Sequence, residues 1–162
     1  MDRCELVYDT IKKNPAIRFN SLMRATKLKN GTLSYYVSKL LTQNKIDVHR
    51  TSSSTHLSVT SISDYELEIC RVLTKDTHKQ IIFLLLKHDT LTFSELRNLL
   101  KKSPATVSVS INQLFIQKII EKSYDIPSNK VSLKNKEQIQ GIVNEYFPTQ
   151  LEKVISNTIE IL

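Results

Sequence analysis

The chain has 162 residues, 40% of them hydrophobic, which suits one ordinary domain or two small ones with buried cores and excludes a disordered tail. Its net charge of +7 is graded along the chain: residues 1–62 are net +6, residues 63–134 net +3 and residues 135–162 net −2, a distribution that favours a polyanionic partner. Two glycines argue against Gly-rich phosphate loops, two cysteines without metal spacing (Cys4 and Cys70) against a disulfide framework or zinc site, and a longest apolar run of 81–86 (IIFLLL) against a bilayer span.

Hydrophobic periodicity places the first helix over 3–13, with Leu6, Val7, Tyr8 and Ile11 inward, and Asn14-Pro15 ending it. Ile17 adds a short extended segment. A second helix is expected over 20–26, packing Leu22, Met23 and Ala25. A turn over 27–30 leads to a third helix over 31–43 with the apolar stripe Leu33, Val37, Leu40 and Leu41. Residues 45–50 then alternate as a strand, 51–55 form a polar tip and 56–60 return. Ser63-Asp64 cap a linker helix carrying Tyr65, Leu67, Ile69, Val72 and Leu73.

Shifted by 74 residues, the sequence falls onto itself without a gap. Phe19, Leu22, Lys27, Thr32, Ser34, Leu40, Gln43 and Ile46 meet Phe93, Leu96, Lys101, Thr106, Ser108, Leu114, Gln117 and Ile120. A second set of elements is therefore expected: helices over 77–88, 94–101 and 104–118, and strands over 119–122 and 130–133. Ser103-Pro104 gives the last of these helices a clear start. The tail reads as two amphipathic helices, 136–147 and 150–162, separated by Pro148. They are expected either to pack on their own domains or to form a dimer interface.

Residues 29–46, KNGTLSYYVSKLLTQNKI, closely resemble the recognition helix and first wing strand of archaeal winged helix-turn-helix transcription regulators of ArsR- and MarR-like type. Residues 73–88, LTKDTHKQIIFLLLKH, resemble the opening helix of ArsR-like repressors, and SPATVSVSINQL their recognition helix. The resemblance covers residues 1–134. It implies a mainly α fold with small β wings, arranged as two tandem winged helix-turn-helix domains (1–62 and 63–134) followed by C-terminal helices (135–162). The chain departs from the family at Tyr36, where His is common, and at Asn44, where Gly is common. It also lacks the cysteine-based metal site, so metal sensing is not implied.

In such a fold the third helix enters the major groove and the wing rests on the backbone. At 100° per residue the face opposite the apolar stripe holds Gly31, Tyr35, Ser38 and Thr42, flanked by Thr32, Ser34 and Lys39. Arg24, Lys27 and Lys29 surround the turn, and the wing offers His49, Arg50 and His56. These residues are the expected contacts to double-stranded DNA, since hydroxyls and cations bond base edges and phosphates. The matching face of the second copy is neutral: Ala105, Val109, Asn112 and Ile116, with Thr106 and Gln113 beside them, and Lys101 and Lys102 near the turn. It is expected to be an auxiliary DNA reader or a dimerisation and partner module.

His49 and His56 can face each other across the wing, but two ligands make a weak metal site. His78 and His88 read as surface or helix-end residues. No nucleophile elbow, Walker loop or dinucleotide fingerprint is present. The expectation is a cytoplasmic, non-enzymatic regulator of transcription acting as a homodimer, without cofactor and without membrane contact. One rival is a protein-interaction subunit of a chromosome-condensation or transcription-machinery complex. The other is a ligand-gated sensor.

Overall fold

The computed structural model of the chain describes residues 2–124 and 129–149. The tail helix expected at 150–162 lies outside the described residues. The described part is mainly helical with two small antiparallel sheets, the make-up of a winged-helix fold. It divides into two compact units, Met1–Thr74 and Lys75–Leu162.

The first unit opens with α1 (Arg3–Lys13), which buries Val7 and Ile11 one turn apart on one face. Asn14 ends it by bonding back to the Thr10 and Ile11 carbonyls. Pro15 and the buried Ala16, at φ 63°, turn the chain into β1 (Ile17–Arg18). Next comes α2 (Phe19–Thr26), ended by Lys27 in the left-handed region at φ 58°. After the turn come α3 (Asn30–Thr42), β2 (Ile46–Arg50), β3 (Thr55–Val59) and α4 (Asp64–Val72). The sheet order is β1-β3-β2, so β3 is its central strand, with Ile17 opposite Leu57 and Ile46 opposite Val59. Val7, Ile11, Leu22, Leu33, Val37, Leu40, Ile46, Leu57 and Val59 form one core, which the helices and sheet bury between them.

The second unit repeats this order: α5 (Asp76–Lys87), β4 (Leu91–Thr92), α6 (Phe93–Leu100), α7 (Pro104–Ile116), β5 (Ile120–Ser123), β6 (Lys130–Leu133) and α8 (Lys136–Tyr146). The shift of 74 residues carries β1, α2 and α3 end to end onto β4, α6 and α7. It also carries the left-handed residues Lys27 and Asn44 onto Lys101 and Lys118. The bond from Lys45 N to the Leu40 carbonyl becomes that from Ile119 N to Leu114, and the pairs Ile17–Leu57 and Ile46–Val59 become Leu91–Val131 and Ile120–Leu133. The likeness also continues past the wings, because in each unit a further helix, α4 or α8, follows the wing. The division after Thr74 therefore groups α4 with the first unit, where the sequence reading grouped residues 63–134.

Several sequence expectations change within these elements. The second helix of each copy begins one residue early, at Phe19 and Phe93. Ala25, expected to pack, is exposed; its neighbour Thr26 is buried in its place, with its hydroxyl donating to the Leu22 carbonyl at 2.8 Å. Leu41, at the edge of the α3 stripe, is exposed rather than inward. His78 is not on the surface: it is 3% exposed, in an α5 whose residues Ile81, Ile82, Phe83, Leu84, Leu85 and Leu86 are all buried. The apolar run 81–86 is buried on every side of the helix, and His78, one turn before it, is buried with it.

Candidate nucleic-acid interface

α3 is fixed from beneath by Leu33, Val37 and Leu40, which are 0%, 8% and 1% exposed. This orientation turns Gly31, Tyr35, Ser38 and Thr42 outward, as the 100° spacing requires. Tyr35 is 62% exposed and rests edge-on against Tyr36, with ring centroids 5.2 Å apart. The Thr42 hydroxyl is already spent on the Ser38 carbonyl at 2.9 Å, so it keeps only acceptor capacity. Thr32 and Ser34 are half-buried on the flanks, and the Ser34 hydroxyl donates to the Asn30 side chain at 3.1 Å.

The N-terminus of α3 is open. Lys29 occupies the cap position in an extended conformation, no side chain caps the helix, and its first turn holds no acid. Its leading N–H groups therefore keep capacity for an anion, and the helix dipole adds to it. A methyl group added at Gly31 would meet nothing within 4 Å, so nothing among the described residues requires glycine there. A helical glycine without an internal reason suits close approach of an external group to the backbone. Arg24, Lys27 and Lys29 are all exposed beside this end, with Arg24 donating to the Ser21 hydroxyl at 3.2 Å.

Lys39 is placed less favourably. It is exposed on the flank that faces α1, in a hollow lined also by Asp2, Glu5 and Asp9, whose negative charges oppose a phosphate there.

In the wing, Arg50 is exposed at the end of β2. His56 is not available. It is 7% exposed on the central strand; its Nδ1 donates to the Ala16 carbonyl at 2.9 Å, and the Ser54 hydroxyl lies 2.8 Å from Nε2. His56 pairs directly with His49 in the hairpin, but the His49 ring is also committed, to the Ser58 hydroxyl at 3.1 Å. Both histidines thus hold the sheet together. Among the described residues no group of three or more His, Cys, Asp or Glu could hold a metal ion. Arg18 stands opposite His56 in the β1–β3 register, is exposed, and adds a cation that the sequence reading overlooked. A cation just before the second helix was its only sequence signal.

The second unit presents different chemistry on the same frame. Ser103 caps α7 by accepting from Thr106 N at 3.2 Å, and Pro104 fills the first turn. Thr106 is exposed, but its hydroxyl pairs with that of Ser103 at 2.8 Å. Val109 is 55% exposed and Ile116 76%. Asn112 accepts from Lys122 Nζ at 3.1 Å. Gln113 is exposed yet tied back to α5, accepting from His78 Nε2 at 2.9 Å. Burial, reinforced by the positive charge of Lys75, holds the His78 imidazole below its ordinary value, against the opposing effect of that bond. Lys101 is exposed, whereas Lys102 bonds Thr77 at 2.7 Å and Asp76 at 3.2 Å. Of the six residues expected to make secondary contacts, only Lys101 and Val109 have no bond to a side chain among those described above.

No protein-family model matches the chain, and no curated protein matches it. Several solved structures are similar to it at a distance. A transcriptional regulator homologue from Pyrococcus horikoshii OT3 shares 21% identity over 57% of this chain and 96% of its own, with a TM-score of 0.42. Wild-type ZitR from Lactococcus lactis, in complex with DNA, shares 20% over 83% of this chain and 82% of its own, with a TM-score of 0.40. Wild-type apo MarR from E. coli shares 11% over 80% and 85%, with a TM-score of 0.41. Among the described residues, no helix is long and apolar enough to cross a membrane.

Proposed function

We propose that this chain is a duplex-DNA-binding regulator of transcription. On this reading it consists of two tandem winged helix-turn-helix domains, acts as a homodimer, performs no catalysis and reads DNA through its first domain. One observation carries the reading. Two helices of the same length, in the same frame and 74 residues apart, differ on their outward faces. α3 shows Gly31, Tyr35, Ser38 and Thr42 behind an open N-terminus flanked by Arg24, Lys27 and Lys29. α7 shows Ala105, Val109, Asn112 and Ile116 behind a capped one.

On this reading α3 lies in the major groove, where Tyr35, Ser38 and Thr42 meet base edges. Arg24, Lys27, Lys29 and the α3 amides hold phosphates, and Arg18 and Arg50 extend the backbone contact along the wing. Lys39 contributes least, because of the acids on α1.

The test is charge reversal read by fluorescence anisotropy on a labelled random duplex across a salt series. Lys27→Glu with Lys29→Glu is expected to weaken binding at least about tenfold. It should also flatten the log–log salt slope by about 2, one phosphate contact per lysine removed. Lys101→Glu with Lys130→Glu should change affinity less than about threefold by the same measure. Equal losses in the two pairs would reject the assignment of DNA reading to the first domain.

A further inference from the structure

We infer that the outer face of α7 is a self-association surface, on which the α7 of a second copy of this chain lies antiparallel across a two-fold axis. This rests on the homodimer part of the proposed function and names the surface that makes the dimer. Ala105, Val109, Asn112 and Ile116 are all exposed and follow one another at spacings of four, three and four. That is the period of a helix–helix seam, and it runs opposite the buried stripe Val107, Ile111 and Leu114. Phe115, 44% exposed, widens the apolar strip on one flank.

Charge selects the occupant. No residue of α7 from Pro104 to Ile116 is charged. A duplex would therefore find no cation on the helix itself. Two copies of a chain of net charge +7 repel each other over most approaches, and least where the facing surface is neutral. The nearest wing cation, Lys122, is turned onto the edge of the strip, bonded to the Asn112 oxygen and lying 4.6 Å from the Phe115 ring centroid. Asn112 thus enters the seam with its carbonyl oxygen already satisfied, which lowers the cost of covering it.

Side-chain size selects the orientation. In an isologous pair residue i meets j and j meets i. An antiparallel pair with its axis between Val109 and Asn112 sets the small Ala105 against the large Ile116 at both ends, and Val109 against Asn112 in the middle. A parallel pair would set Ile116 on Ile116 and leave a gap between two alanines. A single helix pair falls short of the roughly 1,200 Å² of a standard interface, so the dimer is weak in free solution.

Sedimentation velocity of the full chain tests this from about 1 to about 300 μM, a range that brackets a small interface. The wild-type chain should shift from monomer to dimer. Val109→Lys with Ile116→Lys should weaken association at least about tenfold and leave far-UV circular dichroism unchanged, since both positions are exposed. In a Cys4→Ser background, Ala105→Cys with Ile116→Cys should give oxidised covalent dimers, and neither single variant should. A monomer at every concentration overturns the inference, as does a dimer indifferent to the two lysines. Cross-linking by either single cysteine overturns the antiparallel pairing. So does a monomeric wild type whose Ile116→Cys thiol is shielded from reagent, which would assign the face to another part of the same chain. Loss of DNA binding by the Lys27 and Lys29 reversals with dimerisation intact, or the converse, separates this inference from the DNA-reading one.

Discussion

Gly31→Ala separates folding from DNA contact, because the two effects have opposite signs. Gly31 is the second residue of α3, its backbone is helical, and an added methyl group would meet nothing within 4 Å. Alanine should therefore stabilise the helix by about 0.5–1 kcal/mol, through reduced freedom of the unfolded chain and better helix propensity. For a unit of this size that corresponds to a rise of about 2–8 °C in the melting temperature. On DNA the same methyl group would stand between the α3 N-terminus and the groove edge. A displaced close contact worth about 1–2 kcal/mol lowers affinity roughly five- to thirtyfold. Calorimetric melting and anisotropy on one preparation read both effects. Raised stability with unchanged affinity would remove Gly31, and the end of α3 beside it, from the interface. Lowered stability would refute the helical account of this glycine.

Two further outcomes follow from histidines that proved structural. His56→Ala removes the donor to the Ala16 carbonyl of a fully buried residue. It should cost the first unit about 1–3 kcal/mol in urea unfolding, while the fraction still folded at low temperature binds DNA within about threefold of wild type. A variant of normal stability that had lost DNA affinity would return His56 to the interface. His78 has a folded-state value held below 6.5, so the unfolded chain takes up the proton first as pH falls. Its contribution to stability is complete above 6.5 and is lost as pH drops through that value toward the lower folded one. The urea midpoint should therefore fall more between pH 7.5 and 5.5 in the wild type than in His78→Leu; parallel falls would dismiss the linkage. That window stays above the range of Asp89, an exposed carboxyl held below its ordinary value by bonding to Lys136 and by that lysine's charge, whose contribution is lost only at more acidic pH.

The duplicated frame was legible because its signals are local and repeat without a gap. Apolar positions at helical spacing located α1, α3, α5 and α7, and Ser103-Pro104 marked the start of α7. The outward face of α3 followed from the buried one by angle alone. What escaped depends on partners far along the chain. Ile17 signalled an extended segment, but no local propensity over two residues announces that β1 pairs with β3. That pairing makes β3 central and draws His56 inside, so a polar residue on a hairpin read as an exposed contact. The neutralisation of Lys102 by Asp76, and the acids of α1 beside Lys39, likewise join segments 26 or more residues apart.

The contrast between α3 and α7 has a physical basis that does not depend on any relative. Stability of such a helix lies in its inner stripe, and the two stripes match: Leu33, Val37 and Leu40 against Val107, Ile111 and Leu114. Outward positions away from caps and cores change stability by only about 0.5 kcal/mol either way. Folding therefore leaves residues such as Tyr35 and Val109, or Thr42 and Ile116, free to differ, and their chemistry reports what each face meets. The caps differ in the same sense. Ser103 and Pro104 close the N-terminus of α7 with the chain's own atoms, whereas Lys29, Asn30 and Gly31 leave that of α3 without a side-chain cap. An unfilled cap forgoes about 1 kcal/mol of helix stability, and a glycine in the first turn forgoes more. On the proposed reading, an anionic partner completes a helix that forgoes both at an N-terminus beside three exposed cations, and has no such place at its capped, uncharged counterpart.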